Sequence, residues 1–376
     1  MIEALKQTIN WLSAPPRFFT ITVAAFVVLL FPGEMGPAWL RRLTRPLEAI
    51  YRPKVGGIAF AVLGVLFLAS CFDPNFALIV LKPDNVPIAG MIFLVAFFVW
   101  FGLKEGRRND ALRQGGQPIV EKGESGDGKV MVWPDLVYTE FLCMILWTIF
   151  LIVWSIYLKA PIEEPANPAK TPNPSKAPWY FLGLQEMLVF FDPWHAGVVL
   201  PTFIILGLMV IPYIDINPKG NGYYTWKDRK WEILTFYLGF HILWVSLIII
   251  GTFVRGPGWN WFWFWEKWDA HKVEALTNVD LPFLLGVRDE TMATIVGALV
   301  VVAYFVVGYA AFYWFCRRVK GAEFPAFMQR WGWPRFWLTG FLFLNMMAVV
   351  FKMLGRHLIN LKYIMVLKTP YFSINI

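Results

Sequence analysis

Long apolar runs recur along this chain and decide its structural class. About 20 apolar residues in a helix cross the hydrocarbon core of a bilayer, with every backbone polar group satisfied within the helix. The chain is 57% hydrophobic and 16% charged. The runs that suit such helices lie at 18–31, 57–72, 88–103, 136–158, 196–214, 233–254, 291–315 and 336–354. The sequence predicts an all-α, polytopic integral membrane protein with about eight transmembrane helices, or seven if the short first run does not span.

The stretch from residue 161 to 215 combines three kinds of segment. Five prolines within residues 161–174 indicate an extended loop, because proline fixes φ, lacks an N–H and biases the preceding residue away from helix. Trp179 to Phe191 is aromatic and too short to cross a bilayer. The apolar run 196–214 follows. A loop, a short interfacial helix and a membrane helix in this order predict a pocket at one membrane face.

The same stretch carries ordered motifs that resemble a known family. They are Glu164-Pro165-Ala166-Asn167-Pro168, Thr171-Pro172, Trp179-Tyr180-Phe181 and Ile211-Pro212-Tyr213-Ile214-Asp215. In this order they resemble the C-terminal half of cytochrome b, most closely subunit IV of split cytochrome bc-type quinol oxidases. The resemblance covers roughly residues 130–255.

The resemblance implies a function and a set of partners. The chain would be a membrane subunit of a quinol:cytochrome c oxidoreductase and would form part of its outer-face quinol oxidation site. Electrons and protons would leave the quinol, such as menaquinol, through a Rieske iron–sulfur protein and b haems. The expected partners are a haem-b-binding, cytochrome b N-terminal-type subunit, a Rieske protein with its [2Fe–2S] cluster and a c-type cytochrome, in a dimeric complex of the bacterial inner membrane. The alternative is a non-catalytic membrane anchor of another quinone-linked oxidoreductase.

Trp179, Tyr180 and Phe181 match the quinol-binding motif at the outer face, and Pro178, directly before them, is expected to lie at the same surface. The family carries an acid where this chain has Pro178, so the usual proton acceptor is missing. Glu186 is the only acid within the short aromatic segment. It lies about two helical turns after Trp179 and so on nearly the same face. The hypothesis is that Glu186 accepts a quinol proton and passes it to the outer water; the alternative is a solvated surface glutamate.

Two acids are candidates for a site at the opposite, inner face of the membrane. Asp135 opens the run 136–158 and matches an acid that the family places near its inner quinone, although helix capping explains this aspartate equally well. Glu140 lies a turn and a half deeper, where the resemblance implies an extra haem or the inner quinone.

Histidine and cysteine spacing indicates no cofactor ligated by this chain. A b haem between two helices needs paired imidazoles, whereas no run holds two of the four histidines, which are His195, His241, His271 and His357. For His241, the one histidine within a span, contact with a neighbouring helix or a hydrogen-bond partner is favoured over haem ligation. The three cysteines show no CxxC spacing and no metal site is predicted. The quinone would bind at an interface, and the haems in partner subunits.

Charge and composition suggest how the chain is divided and oriented. The expected parts are an N-terminal extension with about three helices (1–103), a cytoplasmic polar linker (104–130), a cytochrome b C-terminal-like core (131–316) and a C-terminal extension with one helix and an interfacial tail (317–376). The loops 41–54, 104–130, 216–232 and 317–335 hold 20 of the 34 Lys and Arg residues. The positive-inside rule makes them cytoplasmic and places the proline loop outside. The net charge of +8 is therefore attributed to basic loops, not to nucleic-acid binding.

Two further features concern the outer loop and the last span. The loop that begins at Arg255 is dense in tryptophan, which suits either an interfacial belt or a docking surface for a redox subunit. Asn345 and Lys352 lie in the last apolar run. We expect these two side chains to snorkel to the interface or to contact a partner helix.

Overall fold

A computed structural model describes residues 45–119, 131–159, 162, 165–216, 224–272, 277–368 and 373–376, with scattered positions before residue 45. The first expected span, 18–31, is described at only a few of these positions and stays a prediction. The glycine-rich part of the expected linker, 120–130, lies outside the described residues.

The described chain is a bundle of helices. In chain order they are α1 (Pro53–Ser70), α2 (Pro74–Val80), α3 (Val86–Gln114), α4 (Val132–Tyr157), α5 (Leu182–Met187), α6 (His195–Ile214), α7 (Trp226–Val254), α8 (Glu290–Lys320), α9 (Phe324–Trp331) and α10 (Trp333–Ile359). Seven described segments are long and apolar enough to cross a membrane, namely α1, α3, α4, α6, α7, α10 and Glu290–Trp331, which holds α8 and α9. The prediction of an all-α polytopic membrane bundle is confirmed.

Helix ends follow local chemistry. Asp73 precedes the proline that opens α2, and its carboxylate accepts from the N–H groups of Asn75 and Phe76 at 3.0 and 2.9 Å. Asp289 caps α8 in the same way, through the N–H of Met292 at 2.8 Å. These bonds satisfy donors that a helix N-terminus leaves free. Asn360 ends α10 in the left-handed conformation, with φ of +56°.

The tail after α10 contains two short strands. Residues Val366–Lys368 (β1) and Ser373–Asn375 (β2) form an antiparallel hairpin. The tail packs against α8, where a Cβ at Gly297 would come within 2.5 Å of the Ile364 carbonyl oxygen, so that a side chain there would clash. Thr294 also donates to the carbonyl of Val366 at 2.8 Å. The backbone groups of these residues pair with each other and with α8. Whether the tail lies on the membrane surface stays a prediction.

Helix α3 continues past the expected domain boundary at residue 104. Its last turns pack on the start of α7, where Asn109 is fully buried and its side-chain amide donates to the Tyr224 carbonyl at 3.0 Å. Asp110 accepts from the N–H of Lys227 at 3.0 Å. Residues 104–114 are therefore helical and do not form a linker. The division into extension and core remains a prediction.

The main core lies beneath the short helix α5. Phe190 and Leu247 are fully buried there, and Val350 of α10 is 6% exposed. By contrast, α4 has no buried residue. The core therefore links α5, α7 and α10, while α4 presents an apolar surface around its whole circumference.

Candidate functional site

Helix α5 lies against α7 because two glycines permit close approach. A Cβ at Gly183 would lie 3.3 Å from the Ile248 side chain, and one at Gly251 would lie 3.3 Å from Leu182. Each distance is tighter than ordinary van der Waals contact. The short interfacial helix predicted from the aromatic segment is present, preceded by a 3-10 turn at Trp179–Phe181. Its α-helical part ends at Met187, earlier than the aromatic run suggested.

The buried face of α5 carries an ion pair. Glu186 is 0% exposed, and Arg255, at the end of α7, is 8% exposed. The guanidinium binds both carboxylate oxygens, with Nε 2.9 Å from Oε2 and Nη2 2.5 Å from Oε1. Charged groups are buried in proteins almost only when paired in this way. The pair therefore fixes α5 to the end of α7.

The tryptophan-dense loop wraps around this pair. The indole N–H of Trp259 donates to Glu186 Oε2 at 3.0 Å, while Arg255 Nη1 donates to the Trp259 carbonyl at 3.0 Å. Trp261 is 5% exposed, and its ring lies 5.4 Å from the Arg255 guanidinium. The expected belt or docking surface therefore accounts for only part of this loop, because the indoles of Trp259 and Trp261 contact the buried ion pair. Trp265, 44% exposed, keeps the outward position expected of a belt residue.

The proline loop is attached to the same structure by side-chain to backbone hydrogen bonds. Gln185 of α5 accepts from the Ala177 N–H at 2.9 Å and donates to the Ser175 carbonyl at 2.8 Å. Asn173 accepts from the N–H of Gly258 at 2.6 Å, and Gly258 has φ of +67°, a conformation that favours glycine. The described part of the proline loop and the tryptophan loop therefore join at α5.

Lys176 is a third charged group at this junction. Its Nζ donates to the Thr252 carbonyl at 2.9 Å and lies 5.4 Å from the Trp268 ring. Burial, and then the positive charge of Lys82, lower the pKa of Lys176 to about 8; Glu186 acts in the opposite direction. A lysine in this setting can exchange a proton near neutral pH.

The residues assigned to the family's quinol-binding motif lie on the exposed side of the short helix. Pro178 is exposed, and Trp179, Tyr180 and Phe181 are 40%, 48% and 50% exposed. The Tyr180 and Phe181 ring centroids are 4.5 Å apart. The three rings form an open aromatic surface.

Glu186 does not share that surface. The sequence placed it on nearly the same face as Trp179, but the 3-10 turn between them breaks the α-helical period and the carboxylate turns inward to Arg255. The surface-glutamate alternative is wrong, since the side chain is fully buried. Three N–H groups occupy its two oxygens. This geometry also disfavours a direct proton transfer from Glu186 to the outer water.

The inner-face candidates stand apart from this cluster. Asp135 and Glu140 are both exposed and lie in the first turns of α4. Among the described residues, no hydrogen bond or ion pair joins either carboxylate to another helix. Their expected roles near an inner quinone or haem remain predictions.

Three of the four described histidines lie on three different helices, and the exposed His271 lies in the tryptophan-dense loop. His195 stacks on Phe191 with ring centroids 5.0 Å apart, and His357 packs edge-on against Phe190 at 5.4 Å. His241 packs against Tyr237 of its own helix, with ring centroids 4.8 Å apart. Its expected contact with a neighbouring helix stays a prediction. Within the described residues, no group of three or more His, Cys, Asp or Glu side chains could hold a metal ion.

Sequence reasoning missed Arg255, Trp259 and Lys176 as parts of the site. One feature of the sequence could have identified Arg255. A single acid in an otherwise apolar helix needs a cation, and Arg255 ends the next but one membrane helix directly before a Gly-Pro-Gly turn. The contacts of Trp259 and Lys176 depend on how the two loops fold in three dimensions, which no local sequence pattern predicts.

Comparison with known proteins agrees with the resemblance drawn from the motifs. Residues 165–264 match the model of the family described as cytochrome b (C-terminal)/b6/petD. A cytochrome b of Allochromatium vinosum is 33% identical over 97 residues, which are 24% of this chain and 23% of that protein. The matched stretch thus spans less than a quarter of the relative and is similar to the C-terminal region of cytochrome b. No solved structure matches the chain.

Proposed function

We propose that this chain is a membrane subunit of a cytochrome bc-type quinol:cytochrome c oxidoreductase. It contributes the outer wall of a quinol oxidation site and takes part in proton-coupled electron transfer from a quinol such as menaquinol. The observation that carries the proposal is the aromatic surface of Trp179, Tyr180 and Phe181, because it lies inside the segment similar to cytochrome b.

The aromatic surface suits a flat, apolar ring. Side chains that are 40–50% exposed at the start of a short helix leave ring faces free for stacking. Two tethers keep this surface in place: the Glu186–Arg255 pair beneath α5, and Gln185, which binds the proline loop. The chain's contribution to catalysis is thus to position the quinol ring with little reorganisation.

Proton transfer in this proposal involves Lys176 rather than a carboxylate on the aromatic surface. Lys176 is half-buried in the loop that leads to Pro178, and its pKa of about 8 allows a neutral fraction at physiological pH. A neutral amine can accept a proton from a quinol hydroxyl through water and release it to the outer face. Glu186, whose oxygens are held by Arg255 and Trp259, has a positioning role.

The proposal assigns the redox groups to partner subunits. The b haems belong to a haem-b-binding, cytochrome b N-terminal-type subunit and the [2Fe–2S] cluster to a Rieske protein, with a c-type cytochrome as acceptor and a dimeric complex. Helix α4 supports a partner within the membrane. It has no buried residue, and Glu140 lies exposed in its first turns, where a neighbouring subunit would shield the carboxylate from lipid.

The alternative is a non-catalytic anchor of another quinone-linked oxidoreductase. The inward orientation of Glu186 favours this alternative, because the short aromatic segment then has no acid that could accept a proton from the quinol.

Purification of the native complex through a tag on this chain separates the two functions. Paired b-haem absorption, a Rieske electron paramagnetic resonance signal and quinol-dependent cytochrome c reduction support the first. A complex that oxidises quinol without a Rieske signal supports the anchor, and the absence of any redox partner contradicts both.

A further inference from the structure

Helix α10 carries a buried lysine that the proposed quinol chemistry does not use. Lys352 is 2% exposed, and its Nζ has no hydrogen-bond partner among the described residues. The Nζ lies 5.6 Å from the Phe191 ring centroid and 5.7 Å from that of Tyr363. Snorkelling, expected from the sequence, is wrong, because the side chain is enclosed by its own chain. Two cation–π contacts do not replace the three hydrogen bonds that an ammonium loses on burial.

Two more cations surround the same end of α10. Arg356, one turn after Lys352, is 7% exposed, and its Nη1 donates only weakly to the Asn360 carbonyl at 3.3 Å. Lys362 lies 5.4 Å from the Tyr363 ring. Burial, and then the charge of Arg356, lower the pKa of Lys362. Lys352 and Lys362 both contact the Tyr363 ring, and Arg356 lies on the same helix as Lys352, so the three positive groups share one end of α10.

The neighbouring acids do not neutralise this cluster. Asp280 accepts from the Tyr363 N–H at 3.1 Å, and Asp192 accepts from the Trp194 N–H and the Asn375 amide, each at 3.0 Å. None of the three cations forms an ion pair with an acid of the described chain. The three cations and the two acids together leave one excess positive charge. It is partly buried, and the Lys352 ammonium has no hydrogen-bond acceptor among the described residues.

We propose that Lys352, Arg356 and Lys362 form a binding site for a phosphate group at the C-terminal end of α10. A phosphate offers several acceptor oxygens, enough for each cation to take one, and a guanidinium matches this geometry. The source is an anionic phospholipid headgroup or free phosphate. The half-buried Lys362 gives access to the cluster from outside the chain. Phe351, Leu358 and Ile359 of the same helix end are 55%, 60% and 51% exposed and would contact the acyl chains of a bound lipid. This site is independent of the proposed quinol oxidation.

Lipid retention and binding by the purified full-length chain test the proposal. Native mass spectrometry would count phosphatidylglycerol retained from the membrane, and thermal-shift titrations would use short-chain phosphatidylglycerol and, separately, inorganic phosphate. Lys352→Met and Lys362→Met remove one cation each. Lys267→Met is the matched control, because Lys267 is an exposed outer-loop lysine outside the cluster.

The expected result is saturable binding that each cluster variant weakens about tenfold or more, as loss of a charge-assisted hydrogen bond implies, while the control binds like the wild type. Binding of the short-chain lipid alone assigns the site to a phospholipid; equal binding of inorganic phosphate assigns it to free phosphate. The proposal is overturned if the wild type binds neither, or if the variants bind as tightly as the control. Should Lys352→Met fail to fold, Lys362→Met in the loop after α10 decides alone.

Discussion

Glu186 and Arg255 lie 69 residues apart in the sequence and meet as a buried, bidentate ion pair. Helix α5 is only one and a half turns long, so its own hydrogen bonds cannot keep it folded. The pair, the two glycine contacts and the Gln185 bonds hold it at the end of α7. The region that resembles a quinol site therefore depends on this interaction.

The first prediction concerns the stability of that pair. Glu186→Gln removes the negative charge and leaves the Arg255 guanidinium buried without a counter-ion. We expect a loss of about 3–5 kcal/mol in the free energy of unfolding, the usual cost of breaking a buried pair from one side. Chemical unfolding of the detergent-solubilised chain would measure it.

A double-mutant cycle provides the control for this prediction. The double variant Glu186→Met, Arg255→Met should lose less than the sum of its single variants, since no unpaired charge remains. Glu323→Gln, at an exposed acid, should change little. Wild-type stability in Glu186→Gln together with slowed quinol oxidation would instead restore a proton-accepting role for Glu186.

The second prediction follows from Lys176. Its pKa of about 8 in the folded chain lies below its usual value of 10.5. Between these two pH values the unfolded chain holds a proton that the folded chain has released, so the free energy of unfolding should rise with pH in this window. Below about pH 8 both states are protonated, and the full penalty of burying the charge remains.

Thermal unfolding from pH 7 to 10 would check this dependence. Lys176→Met should weaken the rise, of which Lys362, whose pKa burial also lowers, keeps a share. Lys267→Met, at an exposed lysine, should keep the whole rise. If the wild type and Lys176→Met show parallel profiles, Lys176 does not titrate in this range. A rise in quinol turnover with the same midpoint would connect Lys176 with the proposed proton transfer.

Local patterns were sufficient for the membrane helices and the short helix α5. Apolar length encodes a span, and the Pro-rich loop followed by Trp179-Tyr180-Phe181 encodes a short interfacial element. The direction of Glu186 was not predictable in this way, because a 3-10 turn precedes it and its partner Arg255 belongs to another helix.

The structure at the end of α3 was also not predictable from local sequence patterns. Charge and glycine after residue 103 indicated a linker, yet residues 104–114 are helical because Asn109 and Asp110 bind the backbone at the start of α7. Polar residues buried against a distant segment resemble solvent-exposed residues when only composition is considered.

The third prediction concerns the aromatic surface. Trp179→Ala and Tyr180→Ala should raise the KM for quinol about three- to tenfold, since an aromatic contact contributes about 0.5–1.5 kcal/mol beyond its buried area. Both rings are 40–48% exposed, so the stability should remain near that of the wild type. Trp265→Ala, at a similarly exposed tryptophan of the tryptophan-dense loop, serves as the control for steady-state kinetics. Equal effects of all three substitutions would contradict a specific ring-binding surface.

The fourth prediction concerns orientation in the membrane. From the charge bias, the segment around Ser125 should be cytoplasmic and Thr171 in the proline loop should be outside. In a background without the three native cysteines, a membrane-impermeant thiol reagent added to intact cells should label Thr171→Cys but not Ser125→Cys. Permeabilised cells should show labelling of both. The reverse pattern in intact cells would invert the topology.

The last prediction tests whether α3 is fixed to the helices that follow. Asn109 is fully buried, and its side-chain amide donates to the Tyr224 carbonyl. Asn109→Leu would leave that carbonyl without this donor, at a cost of about 1–3 kcal/mol. Gly106→Val would force a side chain against the Tyr224 ring, because a Cβ at Gly106 would already lie 3.3 Å from that ring. Arg108→Leu on the same helix is the control, because its side chain is 58% exposed. Limited proteolysis between residues 115 and 130, followed by detergent extraction, should release the N-terminal fragment from the first two variants and retain it in the control and the wild type. If the fragment separates from the wild type as well, α3 is joined to the rest of the protein only by the covalent chain.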